Sequence, residues 1–144
     1  RDAPADITTN MVQITGKYEP VENINVYEFL VKMGVPEDEA KAKTEKKSPF
    51  EIVLDGNKLR FTSGLAIKPA EFVLGEEGEE ILPPDIVVKS IATLDGNVIT
   101  VKSSKPEVDL TGSRTLTFTD SGLEMKIVID KEGVPVAIRK YKRL

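Results

Sequence analysis

The chain has 144 residues, of which 40% are hydrophobic and 31% are charged, and its net charge is −4. These values are typical of one soluble globular domain. The absence of cysteine and histidine excludes thiolate nucleophiles, disulfides, zinc fingers and catalysis by imidazole. No apolar run approaches the ~18 residues of a membrane span, and the lysines form no dense basic stripe, so we expect no nucleic-acid partner.

The first ten residues, Arg1–Asn10, are polar and lack periodicity. This composition predicts a flexible arm before a single domain over residues 11–144. The chain does not begin with methionine, as expected after removal of a signal peptide or in a shortened chain. An extracellular, secreted protein is therefore slightly favoured. The cytoplasm is the alternative, because a chain without cysteine is stable in either redox environment.

A first strand, Gln13–Val21, precedes a pair of short helices. Asn25 and Glu28 have the spacing of a capping box, and Gly34 supplies the stop of the first helix. Its apolar residues recur at helical spacing. They are Val26, Phe29, Leu30 and Met33.

The second helix begins at Pro36 and has little to bury beyond Ala40 and Ala42. We therefore expect it to be weakly held and mobile. Its basic residues are Lys41, Lys43, Lys46 and Lys47. Their pattern favours a solvated face; the alternative is a movable lid that contacts an anionic membrane surface.

From Phe50 onward the chain alternates between strands and short turns. Asp55-Gly56-Asn57 and Asp95-Gly96-Asn97 are strong hairpin signals. The predicted strands here are Phe50–Leu54, Lys58–Ser63, Ile67–Leu74, Asp85–Leu94, Asn97–Ser103, Val108–Leu110, Arg114–Thr119, Leu123–Asp130 and Val134–Arg143. With the first strand they number ten, which predicts an all-β fold. Such a meander leaves the fewest unpaired strand edges when it closes into an antiparallel up-and-down barrel. We expect the helix pair to cap this barrel.

The acidic segment Gly75–Glu80 invites comparison with a calcium loop but lacks the alternating spacing of an EF-hand. It predicts a solvated acidic turn, and we expect neither a metal nor a cofactor. Pro69, Pro83 and Pro84 lie near the strands on either side. Proline cannot donate to a strand ladder, so these two strands should pair poorly and leave a gap in the barrel wall.

Alternation places two arginines on the apolar inner face of the last strands. Arg139 and Tyr141 share a face on the final strand. The two strands before it carry inward Arg114, Leu116, Phe118, Leu123, Met125, Ile127 and Ile129. A buried, unpaired charge costs several kcal/mol, so these arginines need water, internal carboxylates or an anionic ligand. Few acids share this face. Alternation alone leaves two interpretations of Arg139 equally open: a pair with a ligand carboxylate, to which Tyr141 adds a hydrogen bond, or a single salt bridge at the surface.

Five segments in order resemble motifs of the fatty-acid-binding protein family, the intracellular lipid-binding proteins of the calycin superfamily. Gly16-Lys17-Tyr18 resembles an opening G-x-W, and Asn25–Val35 resembles the first-helix pattern. Leu74-Gly75-Glu76-Glu77 resembles L-G-x-E-F, with Gly78 in place of the aromatic residue. The other two are Val88-Lys89-Ser90 followed by Thr93-Leu94-Asp95-Gly96, similar to V-K-S-x-x-T-L-D-G, and Arg139-Lys140-Tyr141, similar to R-x-Y.

The resemblance implies a β-clam with a gap between its fourth and fifth strands. It also implies ligand access near the second helix and the turns Ser63–Ala66 and Asp95–Asn97. It implies that Arg139 and Tyr141 hold a ligand carboxylate. Arg114 lies about one inward position from the family's second arginine and is expected to be auxiliary. The residues expected to line the cavity are Val26, Leu30, Met33, Leu116, Phe118, Met125 and Ile127.

The leading hypothesis is a monomeric, non-enzymatic carrier of long-chain fatty acids or similar anionic lipids. A secreted barrel with a structural, protective or storage role is the alternative. An extracellular lipocalin is disfavoured because the helix pair follows the first strand and no late helix or cysteine is present. A catalytic role ranks last. The choice among palmitate, oleate and a retinoid depends on side-chain rotamers, which the sequence does not specify.

Overall fold

The computed structural model describes residues 13–63, 68–83 and 85–144. The predicted arm Arg1–Asn10 lies outside these ranges, as do Pro84 and most of the turn Ser63–Ala66.

Within the described ranges, ten antiparallel strands form one sheet that curls into a nearly closed barrel. In chain order they are β1 (Gly16–Ile24), β2 (Phe50–Asp55), β3 (Lys58–Thr62), β4 (Ala70–Val73), β5 (Glu77–Leu82), β6 (Ile86–Asp95), β7 (Val98–Lys105), β8 (Leu110–Phe118), β9 (Gly122–Ile129) and β10 (Ala137–Arg143). The hydrogen-bonded order is β4-β3-β2-β1-β10-β9-β8-β7-β6-β5. The first strand therefore pairs with the last, and the predicted up-and-down barrel is confirmed.

The gap in the wall lies between β4 and β5, the two edges of the sheet. Across the described residues these strands share no hydrogen-bonded ladder. Pro69 directly precedes β4, and Pro83 directly follows β5. Both prolines thus flank the predicted break, where a missing N–H costs no ladder bond.

Two strand predictions were wrong and cancelled each other in the count. β5 forms where a solvated acidic turn was expected, because pairing with β6 outweighs the low strand propensity of glutamate and glycine. β8 is one strand rather than two. The break expected near Gly112 does not occur, because Gly112 pairs with Ser103 on β7 and with Ile129 on β9. A Cβ at Gly112 would lie 2.6 Å from Ile129 Cδ1. Glycine lets β9 approach closely at that position.

The helix pair consists of α1 (Val26–Lys32) and α2 (Glu37–Glu45). The capping box predicted at Asn25 is wrong: Asn25 has φ 58° and makes no side-chain cap bond, and its amide donates to the Val136 carbonyl at 3.2 Å. The predicted stop at Gly34 is confirmed by its φ of 102°. The Val35 N–H donates to the Leu30 carbonyl at 3.0 Å, which completes a Schellman motif.

No helix in the described ranges is long and apolar enough to cross a membrane, and α2 has nine residues.

One end of the barrel is plugged by Tyr18, which is fully buried. Its ring packs edge-on against Phe118 with centroids 5.8 Å apart, and its hydroxyl donates to the Ile14 carbonyl at 2.6 Å. The Arg143 guanidinium lies 4.9 Å from the centroid of the Tyr18 ring. This end of the barrel is therefore solid core, and space for a ligand must lie at the other end.

Candidate functional site

β10 directs Arg139 and Tyr141 into the barrel. Arg139 is 2% exposed and Tyr141 is 5% exposed. Their ladder partners on β9 are Met125 and Leu123, which are also buried. Strand alternation therefore places a guanidinium and a phenol together among apolar side chains, as the sequence predicted.

The polar atoms of this pair are only partly satisfied. Arg139 Nη2 donates to the Lys46 carbonyl at 3.0 Å, just after α2. Arg139 Nε and the Tyr141 hydroxyl are buried with no hydrogen-bond partner among the residues that the structure describes. Nor does any carboxylate in these ranges form a salt bridge with Arg139. Two buried donors thus face the interior with no acceptor in the described part of the chain.

Burial controls the protonation of both groups. It lowers the pKa of Arg139, an effect partly offset by Tyr141, and it raises the pKa of Tyr141 well above the ordinary tyrosine value. The guanidinium lies 5.7 Å from the Tyr141 ring centroid, and the Phe50 ring covers the phenol with centroids 5.3 Å apart. Near neutral pH the site holds a desolvated cation beside a neutral hydroxyl.

The Arg114 side chain points into the barrel as predicted, but it is paired with a carboxylate of the protein itself, that of Glu80. Arg114 Nη2 donates to Glu80 Oε2 in a salt bridge, with side-chain exposures of 16% and 3%. Ser90 Oγ also donates to Glu80 Oε2 at 2.6 Å and lies 2.7 Å from Ser103 Oγ. Sequence reasoning missed Glu80 because it assigned the acidic segment to solvent.

Small side chains make the salt bridge between Glu80 and Arg114 possible. Gly78, Ser90, Ser103 and Gly112 are ladder neighbours across β5, β6, β7 and β8. On their own strands, Glu80 and Arg114 are each two residues from a member of this row, on the same inner face. The small side chains of Ser90 and Ser103 in this row leave room for the two long side chains to meet across it.

The cavity lies between the helix pair and the sheet. Four predicted lining residues lie at it: Leu30, Met33, Met125 and Ile127. Arg114 lies there too, together with Glu80 and Phe50. Val26, Leu116 and Phe118 are buried in the surrounding core and do not line this cavity. Arg139 and Tyr141 are not among its lining residues, but each adjoins one of them: Tyr141 packs against Phe50, and Arg139 is the ladder partner of Met125.

No family model matches the chain. It is 34% identical over 111 residues to the zebrafish (Danio rerio) protein "Fatty acid binding protein 1-A, liver", which covers 72% of this chain and 87% of the relative. It is 33% identical over 129 residues to the muscle fatty-acid-binding protein of Schistocerca gregaria, covering 88% and 92%. The chain belongs to the fatty-acid-binding protein family. A fatty-acid-binding protein structure from Drosophila melanogaster brain superposes with a TM-score of 0.75 at 29% identity, covering 92% of this chain and 99% of that one.

This member of the fatty-acid-binding protein family encloses a small cavity. Its free volume is about 90 Å³, whereas ligand pockets usually measure about 300–1,000 Å³. A long lipid therefore needs the wall to move outward. The unpaired β4–β5 edges and the short helices have the fewest backbone bonds to break, so expansion is least costly there.

Proposed function

We propose that the chain is a non-enzymatic carrier that binds and transports long-chain fatty acids or similar anionic lipids inside its barrel. The observation that carries the proposal is the pair of buried donors, Arg139 Nε and the Tyr141 hydroxyl, that find no acceptor among the described residues. A ligand carboxylate would accept from both in charge-assisted hydrogen bonds. The names of the relatives, all fatty-acid-binding proteins, support the same ligand class.

The energetics of this binding are favourable at both ends of the lipid. A hydrogen bond to a charged group contributes about 1.5–3 kcal/mol, and each buried methylene contributes about 0.8 kcal/mol. Ordering the ligand and opening the cavity offset part of this gain. The sum is compatible with affinities from micromolar to nanomolar, about −8 to −12 kcal/mol.

Arg114 has no part in the carboxylate site that we propose. Glu80 already neutralises its charge, and a second carboxylate would have to displace Glu80 or lie beside it. We therefore assign the carboxylate to Arg139 and Tyr141 alone.

The test combines ligand identification with titration. Lipids extracted from the purified protein are identified by mass spectrometry, and a fluorescent fatty acid is titrated into the wild type and Arg139→Met. We expect co-purified fatty acid and an affinity about tenfold to a hundredfold lower in the variant. Lys140→Gln is the matched control, because Lys140 lies on the same strand, facing solvent. Protein without lipid, together with equal affinity in Arg139→Met, would favour the structural or storage role.

We further infer that α2 contacts anionic membranes during ligand transfer. Lys41, Lys46 and Lys47 are exposed, and each basic residue near an anionic surface contributes about 1 kcal/mol. Replacing all three by glutamine should slow transfer of a fluorescent fatty acid to anionic vesicles but leave transfer to neutral vesicles unchanged. Equal slowing with both vesicle types would oppose membrane contact.

For the compartment, we infer the cytoplasm rather than secretion. The chain belongs to the fatty-acid-binding protein family, the intracellular lipid-binding proteins, and the liver and muscle relatives are members of it. A monomer stays our expectation, which sedimentation of the purified protein tests.

A further inference from the structure

The salt bridge between Glu80 and Arg114 lies at the cavity wall, away from Arg139. Glu80 is 5% exposed, and both residues line the cavity. In the part of the chain that the structure describes, Glu80 makes hydrogen bonds through Oε2 and none through Oε1. The Arg114 guanidinium uses one of its five N–H donors in the bond to Glu80. The wall therefore offers both an acceptor and donors to a ligand.

The chemistry of this cluster suits a neutral hydrogen-bonding group. The two charges cancel, and a second carboxylate would be repelled by Glu80. A hydroxyl group can donate to Glu80 Oε1 and accept from Arg114 at the same time. Ser103 lines the cavity beside them and bonds Ser90, so the hydroxyl would join an existing polar network.

The cluster lies within reach of a lipid held by Arg139. In the sheet, Arg139 is opposite Met125, which is opposite Leu116, and Arg114 is two residues from Leu116 on the same inner face. Two strand spacings of about 4.8 Å and two residues of about 3.4 Å separate the positions by on the order of 10 Å. A chain leaving the carboxylate site along Met125 and Ile127 therefore reaches Arg114, and the Glu80 carboxylate paired with it, part-way along its length.

We propose that Glu80, Arg114 and Ser103 form a second subsite that selects fatty acids with a hydroxyl group near the middle of the chain. The inference rests on the proposed function, because Arg139 must hold the carboxylate for the chain to lie this way. In an apolar cavity a buried hydroxyl without a partner weakens binding by about tenfold to a hundredfold. This subsite removes that loss.

The test compares stearic acid with stearic acid hydroxylated near mid-chain, by displacement of a fluorescent fatty acid from the wild-type protein. We expect the mid-chain hydroxy acid to bind within about threefold of stearic acid or more tightly. A greater loss for the mid-chain hydroxy acid overturns the proposal. Failure of stearic acid itself to bind would instead contradict the carrier function.

A variant locates the effect. Ser103→Val puts apolar methyl groups beside Glu80 and should make the mid-chain hydroxy acid at least about tenfold weaker than stearic acid. Ser104→Val is the control, because the next residue on β7 faces outward, and it should leave the ratio unchanged. An unchanged ratio in Ser103→Val would contradict the assignment. Ser103→Ala, which removes only the hydroxyl, gives a smaller change in the same direction.

Discussion

Arg114 on β8 forms a salt bridge with Glu80 on β5, across the two intervening strands β6 and β7. Removing one partner leaves the other charge buried and unpaired, so Glu80→Leu should lower the free energy of unfolding by about 3–5 kcal/mol. The double variant Glu80→Leu, Arg114→Met should recover most of that loss, because two apolar side chains replace the pair. Urea denaturation measures both, and a double variant no more stable than Glu80→Leu would show that the pair is not coupled.

The alkaline stability of the protein should depend on Tyr141. Burial raises the pKa of Tyr141 in the folded state, so above the ordinary tyrosine pKa of about 10 the unfolded chain binds fewer protons. The stabilisation that the protonated Tyr141 phenol gives the folded state is fully present below that pH and is lost as the pH rises further. Tyr141→Phe should therefore lose less stability between neutral pH and about pH 11, measured by urea midpoints. Equal alkaline losses would show that the phenol is not buried in solution.

The glycine at position 78 is a site for stabilisation. A Cβ there meets nothing within 4 Å, and the backbone has no positive φ, so Gly78→Ala should stabilise the fold by about 0.4–1 kcal/mol. Gly122→Ala is the contrast, since its Cβ would collide with the Tyr141 carbonyl oxygen. The midpoint of thermal unfolding should be higher than that of the wild type for Gly78→Ala and lower for Gly122→Ala. Destabilisation by Gly78→Ala would indicate that the barrel wall is tighter there than described.

The Tyr18 hydroxyl should stabilise the closed end of the barrel. Tyr18→Phe keeps the ring packed on Phe118 but leaves the buried Ile14 carbonyl without its donor, which costs about 1–3 kcal/mol. Tyr27→Phe is the control, because Tyr27 is partly buried on α1 and makes no hydrogen bond through its hydroxyl with the described residues. Tyr27→Phe should change the free energy of unfolding by no more than about 0.5 kcal/mol. Equal losses in both variants would assign no special role to Tyr18.

Period-two alternation predicted that Arg139 and Tyr141 share one face of β10, but it left open whether that face is the inner one; the burial of both side chains shows that it is. Arg139 and Tyr141 lie on one face whatever the exact register, and hairpin turns such as Asp95-Gly96-Asn97 mark the strand ends. The same reasoning predicted that Arg114 faces inward. These predictions succeeded because they depend on local backbone geometry.

The partner of Arg114 could not be predicted in this way. Glu80 lies in a segment whose glutamates and glycines favour a solvated turn, and it becomes a strand residue only by pairing with β6. Asn25 failed for a related reason, since its side chain bonds the distant Val136 carbonyl instead of capping α1. Cavity size also depends on how side chains from separate strands pack, which no local pattern contains.

The most direct test of the carboxylate site compares oleate with methyl oleate in the wild type and in Arg139→Met. The ester keeps the chain but removes the negative charge, so the wild type should prefer oleate by about tenfold to a hundredfold. Arg139→Met should bind both ligands within about threefold of each other. The same preference for oleate in both proteins would show that Arg139 does not hold the carboxylate.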